Sequence, residues 1–73
     1  MKKTIIKSDV AGVVNEICFS KGDIVKKGES LLFIESMKME IPIEAPFDSE
    51  IEEIFTKKDE VVSQNQPLLT LKS

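Results

Sequence analysis

The stretch Asp48-Ser49-Glu50-Ile51-Glu52-Glu53-Ile54-Phe55 decides the fold, because it reads two ways. Taken alone it opens a helix: Asp48-Ser49 is an N-cap signal, three glutamates fill the first turn, and Ile51 and Ile54 stand at i, i+3 spacing. Residues 49–56 have a counterpart 37 positions earlier, Gly12-Val13-Val14-Asn15-Glu16-Ile17-Cys18-Phe19. Its leading glycine and β-branched valines favour a strand. The correspondence extends well beyond this stretch. The same offset of 37 lays Asp23, Ile24, Val25, Leu31, Leu32 and Ile34 onto Glu60, Val61, Val62, Leu68, Leu69 and Leu71. Gly22 falls on Asp59 and Gly28 on Asn65, residue types that tolerate a left-handed turn. Two copies of one unit are expected to cover each other's apolar faces. The repeat therefore overrules the helix signal, and the three-residue spacing of Val14/Ile17 and Ile51/Ile54 predicts a β-bulge in both copies.

Each half then reads as short strands between turns: residues 13–19, 24–25 and 30–35, then 50–56, 60–62 and 67–71. Ile41, Ile43 and Ala45 alternate with Pro42, Glu44 and Pro46, which adds a strand whose prolines place it at an edge or strand end. Regularly spaced short strands in so small a chain predict an all-β barrel or sandwich.

Composition limits what such a domain can do. At 73 residues and 8.2 kDa there is room for one domain. The lone Cys18 can form no intrachain disulfide, and without histidine or a CxxC the usual zinc sites are missing. No imidazole is available as a general base. A net charge of -3, with every basic residue a lysine and no Trp or Tyr, argues against nucleic-acid binding. The longest apolar run, residues 31–34, is far below the roughly 20 residues of a spanning helix. Lys2 and Lys3 imitate a signal peptide, but the apolar stretch behind them ends at Lys7. We expect no membrane partner and a cytoplasmic protein with a reduced thiol. Met1 followed directly by strand-like residues suggests a free-standing chain. Because Cys18 matches Phe55 in the repeat, it is expected in or near the core.

Between the halves lies Glu35-Ser36-Met37-Lys38-Met39-Glu40-Ile41-Pro42-Ile43. If residues 30–35 and 39–45 are antiparallel neighbours, Met37 and Lys38 form a tight hairpin turn and the lysine projects from its tip. Such turns favour Gly, Asn, Asp or Pro, none of which is present. Two flexible thioethers beside an exposed lysine suit a surface that partner proteins grip.

These residues resemble the biotinyl domains of biotin-dependent carboxylases, closest to the small bacterial biotin/lipoyl attachment proteins. The shared features are Glu35-Ser36-Met37-Lys38-Met39, with Ala11-Gly12-x-Val14 and Gly22-Asp23-x-Val25-x-x-Gly28-x-x-Leu31 before the lysine and Ile43-x-Ala45-Pro46 after it. The resemblance covers about residues 8–72 and makes residues 1–73 one attachment domain. It implies a flattened β barrel, the barrel-sandwich hybrid, of two pseudo-twofold-related four-strand halves without a thumb insertion. It also implies that Lys38 accepts biotin covalently, with Met37, Met39, Glu35 and Ser36 as flanking site residues; Ser36 stands where alanine is commonest. The implied partners are biotin protein ligase, biotin carboxylase and a carboxyltransferase, with the chain a non-catalytic carrier. Departures lie in the second half, where Asp59 and Asn65 replace frequent glycines and Asp48-Ser49 replaces a glycine-containing turn.

Three other readings stay open. A lipoyl carrier would share the fold and the hairpin lysine, although lipoyl domains characteristically carry aspartate before that lysine. An unmodified interaction module would only borrow the hairpin. A hydrolase using Glu52/Glu53 or Asp59/Glu60 is disfavoured, since adjacent acids on a strand are expected to point to opposite faces. The lysine pairs Lys26-Lys27 and Lys57-Lys58, and the acids Glu50, Glu52 and Glu53, are expected to be solvated.

Overall fold

The computed structural model describes residues 2–73, so Met1 and the expectation attached to it lie outside the described residues. Eight strands follow in order: β1 (Lys3–Lys7), β2 (Gly12–Ile17), β3 (Ile24–Val25), β4 (Ser30–Ser36), β5 (Met39–Glu44), β6 (Ser49–Ile54), β7 (Val61–Val62) and β8 (Pro67–Lys72). The contested stretch is strand β6, as the repeat requires. The strands form two antiparallel sheets, a terminal sheet ordered β1-β8-β6-β3 and a hairpin sheet ordered β5-β4-β2-β7. They make an all-β barrel-sandwich whose two ladders stay separate rather than closing into one barrel. Pro42 sits in β5, an edge strand, where its missing N–H costs no ladder bond.

The offset of 37 is visible atom by atom. Gly22 N–H donates to the Ile51 carbonyl at 2.8 Å, and its mate Asp59 N–H donates to the Val14 carbonyl at 2.8 Å. Ile51 N–H donates back to Asp23 O, and Val14 N–H to Glu60 O, both at 2.9 Å. These bonds carry β3 from the first half onto the terminal sheet and β7 from the second half onto the hairpin sheet. Neither half completes its own sheet. The turns match too: φ is 93° at Gly22 and 73° at Asp59, then 90° at Gly28 and 70° at Asn65.

The core is built from mates: Val14 with Ile51, Val25 with Val62, Leu31 with Leu68, Leu32 with Leu69, Ile34 with Leu71, and Ile6 with Ile43. All are buried, and each contributes on the order of 1.5–3 kcal/mol of transfer free energy. Gly12 is required by close packing: a Cβ there would lie 2.4 Å from the Glu35 carbonyl oxygen.

The expected bulges occur in both copies, between Val14 and Glu16 against β4 and between Ile51 and Glu53 against β8. They correct two side-chain expectations. Beyond its bulge, Ile17 faces Leu32 and packs against the core, so Cys18 turns outward and is exposed, as is its mate Phe55. Partial desolvation, followed by the Glu16 and Glu40 carboxylates, pushes the Cys18 thiol up. Glu52, the extra residue of the other bulge, shares a face with Glu53 instead of pointing away from it. Lys3 Nζ lies 3.2 Å from Glu52, which is half-buried, and Lys21 Nζ lies 3.4 Å from Glu53. Of the three acids expected in solvent, Glu50 is likewise half-buried.

Carboxylates clasp the turns in the same paired way. Asp23 accepts from Ser20 N–H at 2.8 Å, and its mate Glu60 accepts from Lys57 N–H at 3.2 Å and from the Thr56 hydroxyl. The Thr56 bond first, then the Lys57 N–H, holds the Glu60 carboxyl below its ordinary value. A lowered folded pKa gives stability that is present above the unfolded value and lost as pH falls through the folded one. Acid denaturation from about pH 6 to pH 3 should therefore cost the wild type more stability than Glu60→Gln. At neutral pH, Asp59→Gly and Asn65→Gly, which relieve left-handed residues with glycine mates, should each raise stability by up to about 1 kcal/mol in denaturant titrations.

Candidate functional site

The β4–β5 hairpin is positioned by its stem. Leu31, Leu32 and Ile34 are fully buried anchors of β4, and β5 is registered on it from Ser30 opposite Glu44 to Ser36 opposite Met39. Only Met37 and Lys38 remain for the loop. A two-residue antiparallel connection matches strand twist when both residues have positive φ, and theirs are 52° and 64°. This is the type I′ arrangement, occupied by a methionine and a lysine where Asn-Gly would be relaxed. Each L-residue held there costs on the order of 1 kcal/mol. The tip is therefore locally strained and held by the ladder beneath it.

The strain has a geometric result. Met37 is 92% exposed and Met39 66%, so neither thioether packs inward. Lys38 is exposed between them, and no ion pair or side-chain hydrogen bond holds its amine among the described residues. A primary amine raised on a two-residue tip is accessible to an acylating enzyme from several directions.

Directly below the tip, Glu35 and Glu40 face each other across the ladder, and Val13 flanks Glu35 on the other side. Like charges in that register repel. Asn15, on the bulge of β2, donates its side-chain amide to the Glu40 carboxylate and ties β5 to β2 across β4. Five predicted site residues, Glu35, Ser36, Met37, Lys38 and Met39, thus form one continuous tip and stem. Asn15 was not among them. The repeat held a signal for it, since Asn15 and Glu40 are mates of Glu52 and Lys3, a second cross-strand polar pair.

The symmetry mate of the tip's base is the Lys2–Ser73 pair. Lys2 and Ser73 exchange backbone hydrogen bonds at 3.0 and 2.9 Å, the position that Met39 and Ser36 hold in the hairpin. The fold thus has two equivalent poles, one of them closed by Met37-Lys38.

A duplicated β sandwich presenting one lysine on a strained tip defines a carrier-type attachment domain. Residues 18–71 match the family described as Biotin-requiring enzyme. The Biotin/lipoyl attachment protein of Bacillus subtilis is 33% identical over 66 residues, covering 90% of both chains. Methylcrotonoyl-CoA carboxylase subunit alpha of Dictyostelium discoideum is 33% identical over 64 residues, 88% of this chain and 9% of that protein. A single-chain, multi-domain long-chain acyl-CoA carboxylase superposes with a TM-score of 0.92 at 26% identity, covering 96% of this chain and 7% of that one. The chain spans under a tenth of the length of these two carboxylases. It belongs to the biotin-requiring enzyme family.

The tip's strain can be measured directly. Lys38→Gly should raise stability by about 1 kcal/mol in urea titration, whereas Gly12→Ala, which drives a Cβ into the Glu35 carbonyl, should lower it by about 2 kcal/mol or more.

Proposed function

We propose that the chain is a biotin carboxyl carrier: biotin attached to the Lys38 ε-amine shuttles a carboxyl group from biotin carboxylase to the carboxyltransferase of a biotin-dependent carboxylase. The observation that carries this reading is the Glu35-Ser36-Met37-Lys38-Met39 motif on a strained, fully exposed tip. The flanks favour biotin over lipoate, because Met37 stands where lipoyl domains carry aspartate.

In this reading the uncharged ε-amine of Lys38 attacks the activated carboxyl carbon of biotin on a biotin protein ligase. The nitrogen loses a proton, the activating group departs, and the resulting amide is neutral. Bound biotin supplies a ureido nitrogen that takes up and releases a carboxyl group. The remaining work belongs to this chain's residues. Met37 and Met39 offer adaptable apolar grips to ligase and carboxylase surfaces. Glu35 and Glu40, steadied by Asn15, hold the stem and place negative charge beside it. The sandwich keeps the tip in one geometry, so tethering replaces a second diffusional encounter with an intramolecular one. Acid–base groups for the carboxyl transfer come from the partner enzymes, consistent with a chain lacking histidine. A cytoplasmic setting would keep the exposed Cys18 reduced.

Purified protein incubated separately with a biotin ligase and a lipoate ligase, each with ATP and its own cofactor, separates the readings by intact mass. One biotinyl group on the wild type, none on Lys38→Arg and no lipoyl adduct are expected. A lipoyl adduct alone would show that the tip serves the other cofactor.

A further inference from the structure

The two sandwich edges formed by β1 and β5 are repeat mates, and they differ in what they offer a neighbouring strand. In β1, Lys2 exchanges bonds with Ser73, while Ser8 donates to Gln66 O at 2.9 Å and accepts from Asn65 N–H at 2.8 Å. Backbone alternation between these fixed ends turns Lys2, Thr4, Ile6 and Ser8 toward β8. It leaves the N–H and C=O groups of Lys3, Ile5 and Lys7 facing away from the sheet. In β5, Ala45 takes the place of Ser8, donating to Glu29 O and accepting from Gly28 N–H, both at 2.8 Å. The outward-facing residues are then Glu40, Pro42 and Glu44. Pro42, at the centre of that edge, has no N–H to offer, and two carboxylates flank it. Its mate is Ile5, whose N–H is intact. One edge is blocked and the other open.

The open edge has a defined surface chemistry. Lys3, Ile5 and Lys7 are exposed while Ile6 is buried. Ile5 is 54% exposed and shares a shallow concavity on the terminal sheet with Phe55, which is 53% exposed. No ion pair involves Lys7 among the described residues, and Lys3 meets Glu52 with its own side chain largely in solvent.

We propose that β1 is a docking edge for an extended partner segment with acidic–apolar–acidic alternation, added antiparallel as a fifth strand of the terminal sheet. Three outward backbone positions supply the ladder bonds. In register, the two acids lie opposite Lys7 and Lys3, and the apolar residue lies opposite Ile5, extending the apolar surface that Ile5 shares with Phe55. A second copy of this chain does not fit. Antiparallel β1 pairing about Ile5 sets Lys3 against Lys7 twice, and like charges directly opposite are unfavourable. The same lysines that repel self-pairing select an acidic partner.

The test uses the whole isotopically labelled chain and the synthetic peptide Ac-Thr-Glu-Thr-Val-Thr-Glu-Thr-amide, titrated to millimolar concentration and followed by amide NMR and hydrogen exchange. Saturable shifts at β1 and Phe55 are expected, with exchange slowed at the Lys3, Ile5 and Lys7 amides and unchanged along β5. Ile5→Pro, which copies the residue already accommodated at Pro42, should weaken binding at least tenfold while β4 and β5 signals stay in place. Lys3→Glu/Lys7→Glu should reverse the preference toward a peptide with lysine in place of both glutamates. The proposal is overturned by absence of saturable shifts, by equal binding of the lysine peptide to the wild type, or by protection of the same amides from rising protein concentration alone.

Discussion

Everything in this molecule depends on backbone hydrogen bonds that cross between its halves, among them Gly22 to Ile51, Ile51 to Asp23, Asp59 to Val14 and Val14 to Glu60. With the β1–β8 and β4–β5 ladders they give each sheet two strands from each half, the two-residue strands β3 and β7 among them. A chain this short buries only about 60% of its unfolded surface. Exchanging elements between halves brings both apolar faces into one core of paired residues. The turns that aim these bonds need left-handed backbone, which explains glycine at positions 22 and 28 and the tolerated Asp59 and Asn65 in the second copy.

That shared core permits strain where function needs it. β4 is the longest strand, and its buried leucines and Ile34 anchor a hairpin whose two loop residues are poorly suited to their conformation. At the equivalent pole Lys2 is bonded to Ser73. The pseudo-symmetry is therefore kept in backbone geometry while the side chains differ: Met39 and Ser36 hold the position that Lys2 and Ser73 hold at the other pole. The two outer edges are differentiated in the same manner, by Pro42 on one and Ile5 on the other.

Much of this was legible before any coordinates. An offset of 37 positions settled strand over helix for residues 49–54, located both bulges, and put Lys38 at the junction. Pro42 marked an edge strand because its ring removes a donor. What could not be read came from one-residue effects. Each bulge inverts the alternation beyond it, and that inversion carried Cys18 outward and brought Glu52 and Glu53 onto one face. The exchange of β3 and β7 between sheets was hidden because two-residue strands carry no periodicity. β1 had read only as strand-like; its role appears once it is matched to β5 by running the repeat backward past the first glycine.

The central claim is that this duplicated body exists to hold out a single modified lysine. Peptide mapping by mass spectrometry of the protein purified from its own cells tests that claim most directly. The account predicts one biotinyl amide, on Lys38, with the other nine lysines unmodified. Biotin distributed over other lysines, a lipoyl group on Lys38, or a Lys38 that is never acylated would contradict it.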